Sequence, residues 1–204
     1  MTQEIEIEYK NLLTRAEFER LSKAYGLTPE DFVLQHNDYF DTVDFQLKKR
    51  GAALRIREKE NEFVLTLKEP NAVGLLETHQ RLTERETRQM LLGEAPRDGE
   101  VIARLSHMGV RPSALRHFGR LSTKRAEVAL KEGVLVLDHS MYGAREDFEL
   151  EFEAADAAAG WTAFHAILRQ HGIPRRPAEN KIRRMMKSID PEEASAHGDQ
   201  SAND

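Results

Sequence analysis

The sequence predicts an α+β domain built on a closed or nearly closed antiparallel β-barrel of about eight strands, with a polar tunnel inside and helices packed outside. Two observations predict it. Several segments alternate strictly between long ionic and large apolar side chains, the period-2 signature of a strand with two unlike faces. The ionic faces also segregate by sign: Glu4, Glu6 and Glu8 share one strand, Glu149, Glu151 and Glu153 another, and Arg55 and Arg57 a third. A strand face in water usually mixes Thr, Ser, Lys and Gln, and three same-face carboxylates repel one another unless cations sit among them. Curling the sheet until its ionic faces line a lumen, with the apolar faces turned outward under helices, satisfies both observations.

The elements follow in order. Residues 1–10, MTQEIEIEYK, form the first strand, with Glu4, Glu6, Glu8 and Lys10 on one side and Ile5, Ile7 and Tyr9 on the other. Thr14 then caps a helix with Glu17 as its capping-box partner, Phe18 and Leu21 on the apolar face and Gly26 as the stop. A second strand covers 33–42, and strands 52–59 and 62–69 form a hairpin around Glu60 and Asn61. In that hairpin Leu54 and Ile56 oppose Arg55 and Arg57, while Phe63, Leu65 and Leu67 oppose Val64, Thr66 and Lys68. Glu77, His79 and Arg81 share a face of a strand at 75–82. Helices follow at 84–93, opening at Thr83, and at 98–109, opening at Asp98 and closing at Gly109. Three strands come next, at 117–130, 133–141 and 146–154. A helix at 156–171, capped by Asp156, places Trp161, Phe164, Ile167 and Leu168 at core spacing, and a short helix at 178–188 carries Lys181, Arg183, Arg184 and Lys187. No Pro/Gly/Ser linker divides 1–188, so these residues read as one domain, and the small, acidic stretch 189–204 reads as a disordered C-terminal tail.

Composition narrows the chemistry. The chain has 204 residues and a formal net charge of −5, which argues against a nucleic-acid binder relying on overall positive charge. The absence of cysteine excludes disulfides, zinc-thiolate sites and thiol nucleophiles. No signal peptide is visible and no apolar run approaches the roughly 20 residues of a membrane span, so a cytoplasmic protein without a membrane partner is expected. The eight histidines show no HxH or HxxxH spacing and are expected on the surface or in the core. Neither a G-x-S-x-G elbow nor a G-x-x-x-x-G-K-[ST] loop is present.

What remains is the ionic lumen. Carboxylates without cysteine suit hard cations such as Mg²⁺ or Mn²⁺, which take oxygen ligands and share phosphate oxygens. Lys10, Arg55, Arg57, Lys68, Arg125 and Lys181 supply the complementary half, since guanidinium forks match phosphate bidentately and ammonium groups add point charge. Acidic metal ligands beside a basic cradle imply a polyanion bound as its metal complex. Because the carboxylates are expected to repel, Glu6→Gln, Glu8→Gln or Glu151→Gln should leave the metal-free fold intact or slightly more stable.

Glu6-Ile7-Glu8-Tyr9-Lys10 resembles the ExExK signature of the CYTH, or triphosphate tunnel metalloenzyme, superfamily. Leu54-Arg55-Ile56-Arg57, Leu67-Lys68, Lys124-Arg125, Leu137-Asp138, Phe148-Glu149-Leu150-Glu151 and Asn180-Lys181 resemble its later motifs, in the family's order, so the likeness covers 1–188. It implies metal ligation by Glu6, Glu8, Asp138, Glu149 and Glu151, and triphosphate binding by Lys10, Arg55, Arg57, Lys68, Arg125 and Lys181. Lys10 is implied as a catalytic residue that stabilises developing charge or aids proton movement. Glu4, Glu77, Arg81 and Glu153 share these faces outside the motifs and are left unassigned. The implied activity is metal-dependent hydrolysis of a phosphoric anhydride in a small triphosphate: inorganic tripolyphosphate, thiamine triphosphate or a nucleoside triphosphate. An adenylate cyclase making cAMP from ATP is the alternative within the family, and a non-catalytic polyphosphate- or nucleotide-binding module the alternative outside enzymes. A homodimer is left open as a partner.

Overall fold

The computed structural model describes residues 3–189, with side chains through Met185. Its strands are β1 (Gln3–Glu6), β2 (Glu8–Leu13), β3 (Val33–Thr42), β4 (Ala53–Lys59), β5 (Glu62–Asn71), β6 (Gly74–Leu82), β7 (Leu115–Leu130), β8 (Gly133–Tyr142) and β9 (Arg145–Ala154). Its α-helices are α1 (Arg15–Ala24), α2 (Gln46–Lys49), α3 (Glu84–Leu91), α4 (Glu100–His107), α5 (Ala157–Gln170) and α6 (Lys181–Ile189).

The strands form one nine-stranded sheet in the order β1-β6-β5-β4-β3-β7-β8-β9-β2. Every pairing in it is antiparallel. The two terminal strands of that order are successive stretches of the same segment, so the sheet curls round until its edges meet at Ile7. There pairing switches sides: Glu6 is the last residue paired with β6, and the Ala154 N–H, at the end of β9, donates to the Ile7 carbonyl at 2.9 Å. The first strand read from the sequence as continuous is therefore broken in two, and the break closes the curl. Gly74, at φ +149°, makes this approach possible, because a Cβ there would run into the Glu6 carbonyl oxygen.

Local signals hold where a side chain specifies them. Thr14 and Thr83 both form capping boxes, with Glu17 and Glu86, and the Asp156 carboxylate accepts the Ala159 N–H. Glu60 and Asn61 turn the β4–β5 hairpin with φ of 51° and 63°. α4 opens at Gly99, one residue after the expected Asp98. α2 was not expected; the buried Asp41 carboxylate organises it by accepting the backbone N–H groups of Thr42, Leu47 and Lys48. Of the expected tail, Ile189 belongs to α6 and the rest lies outside the described residues.

The apolar faces point outward, as two cores. One packs Leu54, Ile56, Leu65 and Leu67 under Leu47, Met90, Val101 and Leu105 of α2, α3 and α4. The other packs Leu135, Leu137, Leu150 and Phe152 under Leu21 of α1 and Phe164, Ile167 and Leu168 of α5. Each such fully buried side chain contributes on the order of 1.5–3 kcal/mol of apolar burial, so the helices hold the curled sheet from outside. Trp161, expected in the core, is 49% exposed, because α5 turns Gly160, Phe164, Ile167 and Leu168 inward and leaves the indole on its flank against Tyr9. Inside the curl a third, small cluster of Tyr39, Leu121, Tyr142, Ile182 and Met185 seals the lumen where α6 crosses it. No α-helix among the described residues is long and apolar enough to cross a membrane.

Candidate active site

The enclosed face of the sheet lines a cavity of about 350 Å³ to which every strand contributes. Glu6, Glu8 and Lys10 come from the first segment, Arg55 and Arg57 from β4, Lys68 from β5, and Glu77 from β6. Arg125, Asp138 and Glu151 come from β7, β8 and β9, and Lys181 enters from the start of α6. Glu149 does not line this cavity; it is 1% exposed and lies beneath α6, paired with Arg184 and 3.7 Å from Lys181.

Strand register decides who pairs with whom. Lys10 stands opposite Glu151, Arg125 opposite Asp138, and Lys68 opposite Glu77. The resulting ion pairs are dense. Lys10 Nζ is 2.6 Å from Glu8 and 3.9 Å from Glu151. Lys68 Nζ is 2.6 Å from Glu6 and also pairs with Glu77. Arg125 grips Asp138 bidentately at 2.8 and 2.7 Å and reaches Glu151 at 2.6 Å. Lys181 pairs with Asp138 at 2.7 Å and with Glu151.

Electrostatics follow these contacts. Burial works against the charge of Glu151, but Lys181, Arg125 and Lys10 together hold it well below the usual carboxylate range. Burial likewise opposes the charge on Lys181 and Lys10, yet the surrounding carboxylates raise both above an ordinary lysine. Burial pushes Glu6 up against the pull of Lys68, while Lys68 and Arg55 hold Glu77 down despite its own burial. Burial also lifts Glu153 to about 7, with Glu151, Glu6 and Glu8 adding to the push and Arg125 opposing it. The expected carboxylate repulsion is thus met by lysines and arginines of the chain itself.

Arg55 and Arg57 are different. Across β3 they face Tyr39 and Asn37, and across β5 they face Thr66 and Val64, so both strands beside them are neutral at these positions. Among the described residues neither has a carboxylate within ion-pairing distance. Arg57 donates one hydrogen bond, Nε to Asn37 Oδ1 at 3.2 Å, and the buried Nε of Arg55 donates none. Burial and then the adjacent guanidiniums of Arg55 and Arg125 push Arg57 down to about 9. An arginine stays protonated at neutral pH even so; although burial opposes its charge too, Arg55 is instead raised by Tyr39, Glu77 and Glu6.

The donor set fits a hard divalent cation. Glu6, Glu8, Asp138, Glu149 and Glu151 offer carboxylate oxygens only, and Glu149 Oε1 is buried with no hydrogen-bond donor. A second grouping, at the lumen mouth, was missed in the sequence. Glu4, Glu77 and His79 bring one donor atom each within 4.8 Å of one another, with His79 Nε2 3.2 Å from Glu4 and Nδ1 3.0 Å from Thr66 Oγ1. The signal lay in Glu77 and His79 two apart on a strand, hence on one face. Glu77 is a lumen residue, whereas Arg81, on the same face of β6, lies outside the cavity, 80% exposed and paired with Glu62. Glu153 lines the cavity beside Arg125 at 3.3 Å, and Arg184, noted in the sequence only as a basic residue of the last helix, is a further cation, paired with Glu149.

Comparison with known proteins agrees with this architecture. A Bacillus subtilis (strain 168) protein named "Putative triphosphatase YjbK" is 50% identical over 184 residues, which is 90% of this chain and 95% of the relative. A crystal structure from Bacillus halodurans, described as a "putative adenylate cyclase", superposes with a TM-score of 0.87 at 46% identity, covering 90% of this chain and 98% of that one. A Hippeastrum protein, HpAC1, described as a "putative adenylyl cyclase" that reveals a dominant triphosphatase activity, shares the fold at 24% identity and a TM-score of 0.75, covering 90% of this chain and 96% of that one. The CYTH domain family matches residues 4–186, and the chain belongs to that family.

Proposed function

We propose that this protein is a divalent-metal-dependent triphosphatase that hydrolyses a phosphoric anhydride of a small triphosphate, with inorganic tripolyphosphate as the simplest substrate. The observation that carries the reading is the pair Arg55 and Arg57: two cations turned into a lumen, next to one another and with no carboxylate of the described residues in ion-pairing contact, while the neighbouring cations are matched. Such a pair is stabilised by an external polyanion. The name of the 50% identical relative supports the same activity.

Arg55 and Arg57 bind and orient the phosphate chain, with Lys68 and Arg125 at its flanks. Lys10 and Lys181, both raised above the ordinary lysine range, remain protonated at neutral pH. Lys10 therefore serves as a fixed charge for the developing transition state, not as a general base. Glu6, Glu8, Asp138 and Glu151 would hold Mg²⁺ or Mn²⁺, which when bound supplies charge neutralisation and activation of water, whereas Glu149 lies outside the cavity beneath α6. A cyclase would need an adenine platform. The aromatic side chains lining the lumen are Tyr39 and His79, and Tyr39 is packed into the apolar layer under α6.

Incubating the purified protein with tripolyphosphate, thiamine triphosphate and ATP, with Mg²⁺ or Mn²⁺ and with excess EDTA, tests the proposal. Metal-dependent phosphate release is expected. Production of cAMP from ATP, undiminished turnover in EDTA, or absence of turnover on every substrate would overturn it.

A further inference from the structure

We infer that Asn11 is a positioning residue for Lys181, a latch that fixes where this lysine stands in the lumen. The inference rests on the proposed role of Lys181 in triphosphate turnover. Residues 174–177, between α5 and α6, run as a strap along the side of β2 away from β9: the Leu12 N–H donates to the Arg176 carbonyl at 3.0 Å, and Asn11 bridges Pro177. Asn11 is completely buried there. Its Nδ2 donates to the carbonyls of Pro174 at 3.1 Å and Leu12 at 2.9 Å, while its Oδ1 accepts the Arg176 N–H at 2.6 Å and Arg175 Nη1 at 3.1 Å. Arg175 Nη1 continues to the Lys10 carbonyl at 2.8 Å.

A side-chain amide is suited to this place because it donates and accepts in one plane, and so satisfies both a carbonyl and an N–H of the strap. An apolar residue would leave those buried groups unmatched. The strap ends four residues before Lys181, a short tether, so displacement of the strap displaces the lysine. Lys181 shares Glu151 with Lys10, the residue next to Asn11. The latch therefore joins the two lysines of the site through backbone as well as through the carboxylate between them. Catalytic contacts are sensitive to misplacement of about 1 Å, which is within what loss of the latch would allow.

A double-mutant cycle separates this role from mere stabilisation. The kcat/KM for metal-dependent tripolyphosphate hydrolysis is compared in wild type, Asn11→Ala, Lys181→Ala and the double variant. Asn11→Ala is expected to cost about tenfold alone and less than about twofold in the Lys181→Ala background. Equal losses in both backgrounds, or no loss in either, overturn the inference. Arg175→Ala, which removes two of the contacts from a partly exposed side chain, replaces Asn11→Ala in the same cycle should the latter not fold. An activity-independent readout distinguishes failure here from failure of the proposed function. In metal-free protein, the side-chain ammonium NMR signal of Lys181 is expected to shift or broaden in Asn11→Ala while that of Lys68 stays in place. An unchanged Lys181 signal overturns the inference whether or not the protein hydrolyses triphosphates.

Discussion

The two walls of the lumen are built from the same kinds of residue and differ in register. On the β8–β9 wall the acids Asp138 and Glu151 stand directly opposite Arg125 and Lys10, and Lys181 is added from α6. On β4, Arg55 and Arg57 stand opposite Tyr39, Asn37, Thr66 and Val64. The first wall is internally neutralised in the metal-free protein, its acids and cations each meeting partners from the chain itself. The second leaves both guanidiniums without a carboxylate of the described residues in contact, although Tyr39, Glu77 and Glu6 act on Arg55 from a distance and raise it against its burial. Pairing, more than charge count, tells which charges the fold already satisfies and which it leaves for a ligand.

The largest expected effect breaks the paired wall. Glu151→Gln strips Lys181, Arg125 and Lys10 of their common partner, leaving each buried cation with one carboxylate fewer, and should destabilise the metal-free protein by about 3 kcal/mol. Thermal or urea unfolding in EDTA checks this. The sign is the reverse of what carboxylate repulsion alone suggests, because the cations that relieve the repulsion are part of the fold. Next in size is the contrast on β4. Arg55→Ala or Arg57→Ala removes an unpaired charge, so metal-free stability should change by less than about 1 kcal/mol, and a loss as large as that of Glu151→Gln would erase the distinction between the walls.

A subtler test uses pH. The burial and like charges that push Arg57 down would push a lysine there below its ordinary value as well. Arg57→Lys should therefore lose tripolyphosphate affinity at a lower pH than wild type, because a lysine starts from a lower ordinary value and deprotonation removes the charge. Parallel pH profiles would mean that the environment of Arg57 is not as positive as the geometry indicates. The smallest effect belongs to Glu4 at the mouth. Its side chain is 67% exposed, and Glu4→Gln should shift stability by less than about 0.5 kcal/mol.

Much of this was legible in the sequence because alternation fixes the face on which a strand residue lies. Knowing that Glu6, Arg55 and Glu151 share the ionic faces is enough to place them in one lumen once the sheet curls. Alternation does not give register, so it could not say that Lys10 meets Glu151 while Arg57 meets Asn37. It also could not separate Glu149, sealed beneath α6, from Glu151, which lines the cavity, since both are on the same face of β9. The break at Ile7 was hidden for a related reason: the ExExK stretch keeps its alternation across it, and only the switch of partner from β6 to β9 marks it. Helix caps were readable because a Thr or Asp oxygen specifies them locally. The latch at Asn11 was not, because its partners lie more than 160 residues away in sequence.

The central claim is that the unpaired arginines of β4 are there to hold a polyphosphate. The most direct test is calorimetric titration of tripolyphosphate into wild type, Arg55→Ala and Arg57→Ala, each with Mn²⁺ present. Wild type should bind with an affinity that falls as salt is raised, and each variant should bind at least about tenfold more weakly while unfolding at the wild-type temperature. Equal affinities in all three proteins would contradict the account, because they would mean that the arginines left unpaired by the fold do not face the ligand.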